Sequence, residues 1–340
     1  MRSFYIHTFG CQMNVHDSMR MHELLSSAGL VQVGDPESAD LIVLNTCSVR
    51  EKAEQKLDSE LGKMRLLKQQ RDRNTVIAVT GCVARQRGER MIRRMPFVDL
   101  VLGPDNLGEL VELAEAVAKG GPPVVRTEFD MDAPAFLRSH LSSRPVGPSS
   151  FVSISKGCDE RCTFCIVPFT RGPERHRSSS QIVEEISRLV EAGTREVILL
   201  GQTVNGYFDP SGEVSRVYGR GDITDGDTDF AGLLRLVAEA VPKLARLRYT
   251  SPHPRYYGPS VVEAHRDLAV LCRHIHMPVQ SGSNAVLKRM VRRYTREEYL
   301  ATIAALRSAR PDMTVSTDII VGFPGETDSD LADTLSIMTE

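Results

Sequence analysis

Short apolar runs alternate with longer amphipathic stretches through the first 120 residues. The apolar runs have the length of buried strands, and the amphipathic stretches have the period of helices. Strands are predicted at 3–9, 41–45, 75–80 and 98–103. Helices are predicted at about 16–29, 48–70, 84–94 and 105–119. This alternation predicts an α/β fold, in which an N-terminal Rossmann-like domain at 1–120 carries a parallel sheet with helical crossovers.

A second alternating series begins at residue 151 and runs to the end of the sequence. Strands are predicted at 151–156, 196–200, 246–250, 274–279 and 314–321. Helices follow these strands, at about 180–192, 230–240, 260–271, 283–291, 296–309 and from 328. Repeated βα units of this size predict a partial (βα) barrel over 151–340. The sequence stops inside the helix after the fifth strand, so we expect this barrel to be incomplete.

Two stretches break these patterns. Residues 121–150 are rich in Gly, Pro and Ser, which is typical of a linker between domains. Residues 205–229 form a polar segment rich in Gly and Asp after the second barrel strand, and we expect a loop there.

Composition excludes two classes of protein. Hydrophobic residues make up 41% and charged residues 25% of the 340 residues, a balance that excludes a wholly disordered chain. The sequence contains no apolar run of roughly 18 residues and begins with no secretory signal, so we expect a cytoplasmic protein without a membrane span. Its seven cysteines are an odd number, which favours metal-binding or catalytic thiols over a disulfide framework.

Three of these cysteines lie on one short segment, directly after the first predicted barrel strand. Cys158, Cys162 and Cys165 have the spacing C-x3-C-x2-C. Three thiolates can bind three irons of a four-iron cluster and leave the fourth iron open for substrate chemistry. The alternative is a structural zinc loop, but such loops usually pair C-x2-C units with a fourth ligand nearby, and none follows here.

Three other cysteines, Cys11, Cys47 and Cys82, each lie one or two residues beyond a predicted parallel strand. The carboxyl ends of parallel strands meet at one edge of a sheet, where ligands bind. We therefore expect these thiols to converge on a second cluster; the alternative is three unrelated buried thiols. Cys272 lies in an apolar context, and we expect it to be a core thiol.

The cysteine motifs and the segments around them resemble those of a known protein family. The segment KGCDERCTFC resembles the signature of radical S-adenosylmethionine (SAM) enzymes. The segments FGCQMN, NTCSVREKAEQK, TGC, LLGQTVNGY, TSPHP, MPVQSGS and STDIIVGFPGET resemble those of the methylthiotransferases within that superfamily. CQMN and CSVREKAEQK are most similar to the branch that acts on N6-isopentenyladenosine of tRNA.

The resemblance implies two four-iron clusters and SAM as cofactors. The cluster on Cys158, Cys162 and Cys165 would bind SAM and generate a 5′-deoxyadenosyl radical, while the cluster on Cys11, Cys47 and Cys82 would carry the sulfur. The substrate would be C2 of a prenylated adenosine in the anticodon loop. A monomeric enzyme is implied, with a flavodoxin or ferredoxin as electron donor. Members of this family continue into a TRAM domain that helps to hold tRNA, and no TRAM domain follows residue 340, so we expect weaker tRNA binding.

Several barrel positions at or just past strand ends are candidate contacts for SAM. They are Phe164, Gln202, Asn205, Gln280, Ser281, Ser316, Asp318, Gly322 and Glu326. Ordinary strand-end loops would explain each position equally well.

Five arginines are candidate RNA contacts, because Lys/Arg patches bind phosphates. They are Arg171, Arg175, Arg177, Arg292 and Arg293. Another basic stretch, 51–100, is better explained as a solvated helix face.

Other functions remain open at this stage. Sister branches of the family act on threonylcarbamoyladenosine in tRNA or on an aspartate of a ribosomal protein. A non-enzymatic iron–sulfur protein, such as a redox sensor or an electron carrier, is a further alternative. An electron carrier normally fills every iron site with a fourth ligand, whereas only three cysteines accompany each cluster predicted here.

Overall fold

The computed structural model describes residues 1–48, 51–71, 74–129, 146–209 and 227–340. The chain divides into two compact units. Unit 1 comprises the described part of Met1–Pro145 together with Ile166–Gly172, and unit 2 comprises Val146–Cys165 and Pro173–Glu340. Residues 130–145 of the predicted linker and residues 210–226 of the predicted polar loop lie outside the described residues.

Unit 1 contains a six-stranded parallel sheet with the strand order β2-β1-β3-β4-β5-β6. Its strands are β1 (Ser3–Phe9), β2 (Val31–Gln32), β3 (Leu41–Thr46), β4 (Val76–Gly81), β5 (Leu100–Leu102) and β6 (Val124–Arg126). The four predicted strands are therefore present. The sequence pattern missed β2 and β6 because two or three residues are too short to show a period, and β6 lies in the stretch interpreted as a linker.

Helices cover both faces of this sheet. They are α1 (Gln12–Ser27), α2 (Glu51–Gln70), α3 (Cys82–Arg87), α4 (Glu89–Arg94), α5 (Leu110–Ala118) and α6 (Val167–Thr170). Side chains of β3 alternate between two cores: Val43 packs with residues of α1 and α5, while Ile42 and Leu44 pack with residues of α2 to α4. A parallel sheet buried on both faces is the predicted Rossmann-like arrangement. The helix predicted at 84–94 is interrupted at Gly88, which has a φ of 48°.

Unit 2 has the strands of a partial barrel. They are β7 (Ser149–Ser153), β8 (Ser155–Lys156), β9 (Arg175–His176), β10 (Glu196–Leu200), β11 (Phe208–Asp209), β12 (Thr228–Asp229), β13 (Arg246–Tyr249), β14 (His274–His276) and β15 (Thr314–Ser316). Strands β13, β10 and β7 form one parallel sheet, and β14 pairs in parallel with β15. A parallel bridge joins Leu247 of β13 to Leu271, three residues before β14 begins. The five parallel strands predicted from the sequence are present as β7, β10, β13, β14 and β15.

The helices of unit 2 follow its parallel strands. They are α7 (Ser179–Glu191), α8 (Phe230–Ala240), α9 (Pro259–Asp267), α10 (Asn284–Arg289), α11 (Arg296–Ala309) and α12 (Asp328–Ile337). Thr295 and Thr327 begin α11 and α12 with capping boxes, in which side chain and backbone satisfy each other's hydrogen bonds. Within the described ranges, no helix has the length and apolar character needed to cross a membrane.

Candidate functional site

The strand register of unit 1 aligns the ends that carry its three cysteines. Phe9 of β1 pairs with Thr46 of β3, and Thr46 pairs with Gly81 of β4. Cys47 and Cys82 directly follow Thr46 and Gly81, and Cys11 comes two residues after Phe9. Adjacent strands lie about 4.8 Å apart, so the register places the three thiols at one edge of the sheet, as predicted. Cys11 is exposed, whereas Cys47 and Cys82 are buried.

Two glycines make room for this group of thiols. A Cβ atom on Gly10 would lie 2.3 Å from the Cβ of Cys47, and a Cβ on Gly81 would lie 2.5 Å from Oδ1 of Asn45. Both glycines have positive φ angles, 133° and 88°, which side-chain-bearing residues rarely adopt. The chain therefore approaches itself closely just where Cys11 and Cys47 meet.

Unit 1 also supplies polar and charged partners for these thiols. A hydrogen bond with Cys47 lowers the pKa of Cys11 to about 6, and the charge of Arg171 and the backbone near Asn14 act in the same direction. The protein atoms around the sulfur displace water from it and oppose this shift, although the residue as a whole is exposed. Arg171 is itself buried and donates from Nη2 to Oδ2 of Asp17 at 2.8 Å. Burial lowers the pKa of Arg171, but the charges of Asp17, Cys82 and Cys11 more than offset this and raise it.

A buried amide network lies next to Cys11. The Cys11 thiol donates to Oδ1 of Asn14 at 3.2 Å, and Nδ2 of Asn14 donates to Oδ1 of Asn45 at 3.0 Å. Asn45 in turn donates to the backbone oxygen of Asn14 at 2.8 Å and to Ser18 at 2.8 Å. Both asparagines are fully buried, so these hydrogen bonds fix the start of α1 against β3.

Unit 2 holds its three thiols on one loop after β8. Thr163 anchors this loop: its backbone nitrogen donates to the carbonyl of Met290 at 3.1 Å, and its hydroxyl donates to the carbonyl of Arg289 at 3.2 Å. Sγ of Cys158 lies 3.1 Å from Oγ1 of Thr203, in the loop after β10. Contacts from two distant parts of the barrel therefore position the cysteine loop.

Burial dominates the electrostatics of this second group. It raises the pKa of Cys158 to about 12, although the hydrogen bond with Thr203 opposes the rise. Nη1 of Arg292 donates to Sγ of Cys162 at 3.3 Å, and the guanidinium also lies 5.1 Å from the ring centre of Tyr294. A metal centre that bound here would have to displace the Cys158 proton, and Arg292 would offset part of the resulting negative charge.

The donor sets of both units consist of thiols, which are the usual ligands of iron–sulfur clusters. A four-iron cluster takes each thiolate on a different iron. Among the described residues, no three His, Cys, Asp or Glu side chains form a group that could hold one metal ion. Each unit offers three thiols with a cationic side chain beside them, which suits an anionic cluster.

The structure divides the candidate SAM contacts into two groups. Asn205 is saturated by the backbone of His253, donating at 2.9 Å and accepting at 2.7 Å. Ser281 is buried against Thr334, and the Glu326 carboxylate accepts from the backbone nitrogens of Gly322 and Phe323. These contacts stabilise the strand-end loops themselves, which was the alternative explanation for such positions.

The remaining candidates face more open surroundings. Phe164 is 40% exposed between two of the cysteines. Gln202 accepts from the Gly157 backbone nitrogen, and its Nε2 has no hydrogen-bond partner among the described residues. Ser316 lies 3.0 Å from His274 and 2.9 Å from His276, and Asp318 lies 3.2 Å from His276. Gln280 forms a parallel bridge with Ile319 and has a φ of 69°.

The candidate RNA contacts require a correction. Arg171, Arg175 and Arg177 are each 3% exposed. Arg171 pairs with Asp17, and Nη1 of Arg177 lies 2.7 Å from Oε2 of Glu185 in an ion pair. Side chains buried in this way cannot meet an RNA backbone from solvent, so the prediction of phosphate contacts by these three residues is wrong for this conformation.

Arg292 and Arg293 lie in different surroundings. Arg292 contacts Cys162, a role that the sequence did not indicate. The side chain of Arg293 is 51% exposed and lies 3.8 Å from Oε2 of Glu160, so it stays a candidate for RNA contact. Glu160, between two of the cysteines, also accepts from Tyr256 at 2.5 Å. The sequence analysis did not single out Glu160. Its position between Cys158 and Cys162 was the feature of the sequence that could have drawn attention to it.

Comparison with family models is consistent with these two units. Residues 3–103 match the uncharacterized protein family UPF0004, and residues 152–338 match the radical SAM superfamily. The fold and the C-x3-C-x2-C loop therefore define a radical SAM enzyme.

Similar proteins of known name show which family within the radical SAM superfamily this chain belongs to. The chain is 58% identical to the tRNA-2-methylthio-N6-dimethylallyladenosine synthase of Sorangium cellulosum (strain So ce56), covering 100% of this chain and 69% of that protein. It is 45% identical to the synthase of the same name from Bartonella tribocorum, covering 100% of this chain and 72% of that protein. The chain belongs to this family of synthases, the MiaB family.

Solved structures share the fold at low sequence identity. One is the radical SAM methyltransferase TsrM from Kitasatospora setae, with cobalamin and a [4Fe-4S] cluster bound, at a TM-score of 0.67 and 15% identity. The match covers 99% of this chain and 70% of that one. Another is the cobalamin-dependent radical SAM enzyme OxsB with aqua-cobalamin and SAM bound, at a TM-score of 0.65, 14% identity, and coverage of 100% and 52%.

Proposed function

We propose that this chain adds a methylthio group to C2 of N6-isopentenyladenosine next to the anticodon in tRNA. The observation that carries the proposal is the presence of two separate groups of three cysteines in a chain 58% identical to a synthase named for this product. One group follows the ends of three parallel strands, and the other lies on the loop after β8. Under this proposal residues 1–120 form the sulfur-carrying domain, and 151–340 form the radical-generating barrel.

Each unit would have its own cofactor. Cys158, Cys162 and Cys165 would hold one four-iron cluster together with SAM, and Cys11, Cys47 and Cys82 would hold an auxiliary four-iron cluster. When bound, these groups supply a carbon radical that removes hydrogen from the substrate and a sulfur that replaces it. Such chemistry suits C2 of adenine, because that C–H bond is not acidic and an acid–base pair could not remove its proton.

The side chains of unit 2 would hold and orient SAM. Phe164 lies between two of the cluster cysteines and is partly exposed, so its ring would be available to stack on an adenine. Gln202 follows β10 and has an amide nitrogen to offer, while Ser316 and Asp318 lie at the end of β15. Carboxyl strand ends form the functional face of such barrels, which supports this assignment.

Substrate choice would depend on the prenyl group and on phosphate contacts. Burying an isopentenyl group contributes ~0.8 kcal/mol per CH₂, or about 3–4 kcal/mol in all, so an unmodified adenosine should react poorly. Arg293 is an exposed cation close to the cysteine loop and would contact phosphate, which makes tRNA binding weaken with salt. We expect the enzyme to work as a cytoplasmic monomer that draws electrons from a flavodoxin or ferredoxin.

A parallel assay tests the proposed substrate. The reconstituted protein is given prenylated tRNA, threonylcarbamoylated tRNA and the ribosomal protein of the sister branch, and methylthio products are measured by mass spectrometry. We expect product with prenylated tRNA, and much less with tRNA that lacks the isopentenyl group. Preference for either of the other two substrates would overturn the choice of substrate while leaving radical chemistry in place.

A further inference from the structure

The segment Ile166–Gly172 follows the cysteine loop of the barrel in sequence, yet it belongs to unit 1. Its helix α6 packs against α3, the helix that begins at Cys82. Gly172 ends the segment with a φ of 78°, and a Cβ there would lie 3.0 Å from the ring of Phe129. The tight turn at Gly172 therefore fixes the backbone beside Arg171.

Arg171 and Asp17 form a buried ion pair at this place. Their side chains are 3% and 2% exposed, and 154 positions separate them in the sequence. Asp17 lies on α1, six residues after Cys11 at the start of that helix. Arg171 interacts electrostatically with Cys11 and Cys82 as well as with Asp17. One guanidinium thus pairs with the carboxylate and lies near enough to two of the three thiols for their charges to act on it.

Stability alone gives a weak reason for such a pair. Removing two charges from water costs several kcal/mol per ion, and well-packed apolar residues often replace a buried ion pair without loss. A three-thiolate cluster would add net negative charge to a site where Asp17 already contributes one unit. A fixed cation at this place would offset that charge, because Coulomb interactions are strong where water is excluded.

We propose that Arg171 is a positioning residue of the N-terminal thiol site, where its charge, held in place by Asp17, stabilises the auxiliary cluster and sets its reduction potential. This inference rests on the proposed function, because it assumes a cluster on Cys11, Cys47 and Cys82. It assigns Arg171 to the cluster rather than to RNA, as its burial requires.

The test uses the full chain carrying Cys158→Ala, Cys162→Ala and Cys165→Ala, so that iron bound to it reports on unit 1. After anaerobic reconstitution, iron content, iron release to a chelator and the midpoint potential are measured. Arg171→Gln removes a positive charge, so the potential should fall, and iron release should be about tenfold faster or more. Asp17→Asn removes a negative charge, so the potential should rise. Arg171→Lys keeps the positive charge, so its midpoint potential and its rate of iron release should stay close to those of the parent triple variant.

A matched control comes from Arg20 and Glu23, a buried pair on α1 at 2.9 Å. Arg20 lies nine residues after Cys11, roughly 13 Å further along the helix axis. Arg20→Gln should reduce the stability of unit 1 without shifting the potential. If Arg171→Gln does not fold, a higher potential in Asp17→Asn together with an unchanged potential in Arg171→Lys still tests the charge effect.

The outcomes separate the two proposals. Absence of iron in the parent triple variant would overturn the auxiliary cluster and, with it, the role of Arg171. If iron is bound but the potential is unchanged in Asp17→Asn and Arg171→Gln, the cluster stands and the role proposed for Arg171 is overturned. Shifts of the potential in the same direction in both variants would overturn that role as well.

Discussion

The two groups of thiols are built in different ways. In unit 1, Cys11, Cys47 and Cys82 come from three strand ends, and the sheet register brings them together. In unit 2, all three cysteines lie within 158–165, and the Thr203 hydroxyl and the backbone carbonyls of Arg289 and Met290 position the loop. A group assembled by sheet register depends on close backbone packing, whereas a group on one loop depends on its anchoring contacts.

The electrostatics of the two groups differ as well. Cys11 has a pKa of about 6, because Cys47 and Arg171 stabilise its thiolate. Cys158 has a pKa of about 12, because burial disfavours its charge. The surroundings of the two groups therefore favour different charge states: hydrogen bonding and a nearby cation favour the thiolate of Cys11, while burial favours the neutral thiol of Cys158.

The largest expected effect comes from removing either group of cysteines. The wild-type protein should bind about eight irons after anaerobic reconstitution, four in each unit. Replacing Cys158, Cys162 and Cys165 with Ala should leave about four irons, all in unit 1. Replacing Cys11, Cys47 and Cys82 should also leave about four, all in unit 2. Full iron in either variant, or none in a variant that is still folded, would contradict the two-site account.

Much of this comparison follows from the sequence, but not all of it. Cys47 and Cys82 directly follow apolar runs, and local patterns locate strand ends well. The partners of Arg171 and Arg292 could not be predicted, because Asp17 and Cys162 lie 154 and 130 positions away. In the sequence, an arginine that contacts RNA cannot be distinguished from one that interacts with a thiol, because both are basic residues near a cysteine motif.

Gly10→Ala tests the dependence of unit 1 on close backbone packing. The positive φ costs roughly 1–2 kcal/mol for a residue with a Cβ, and overpacking against Cys47 adds about 1–3 kcal/mol. We expect loss of iron from unit 1 and retention in unit 2. Gly29→Ala is the matched control, because Gly29 also has a positive φ, 84°, but its Cβ would meet nothing within 4 Å. Equal iron loss in both variants would show that backbone strain alone explains the effect.

Arg292→Met tests the anchoring of the loop in unit 2. Loss of the hydrogen bond to Cys162 should weaken iron binding in unit 2 about tenfold or more, because removing the hydrogen-bond partner of a metal ligand usually has an effect of this size. Iron in unit 1 should not change. Arg293→Met is the control, because Arg293 is half exposed and pairs with Glu160 instead of a thiol. Chelator competition measures both, and equal weakening by the two variants would exclude a specific role for the contact with Cys162.

The smallest expected effect is a pH dependence confined to unit 2. Burial lowers the pKa of His265 from 6.5 to about 4, with a further contribution from the charge of Arg310. The unfolded chain binds more protons between these values, so stability is full above pH 6.5 and falls as the pH drops towards 4. From pH 7 to 5 the wild-type protein should lose about 2 kcal/mol of unfolding free energy that His265→Gln does not lose. Urea unfolding at both pH values measures this; equal losses in both proteins would exclude His265 as the cause.

The division of labour between the two groups of thiols is tested most directly by Cys11→Ala. The reconstituted variant is given SAM, a reductant and prenylated tRNA, and 5′-deoxyadenosine and the methylthio nucleoside are quantified in the same reaction. The account predicts that 5′-deoxyadenosine still forms, because the cysteines of unit 2 are intact, while the methylthio nucleoside is lost. Methylthio product from this variant, or loss of 5′-deoxyadenosine along with it, would contradict the assignment of separate roles to the two sites.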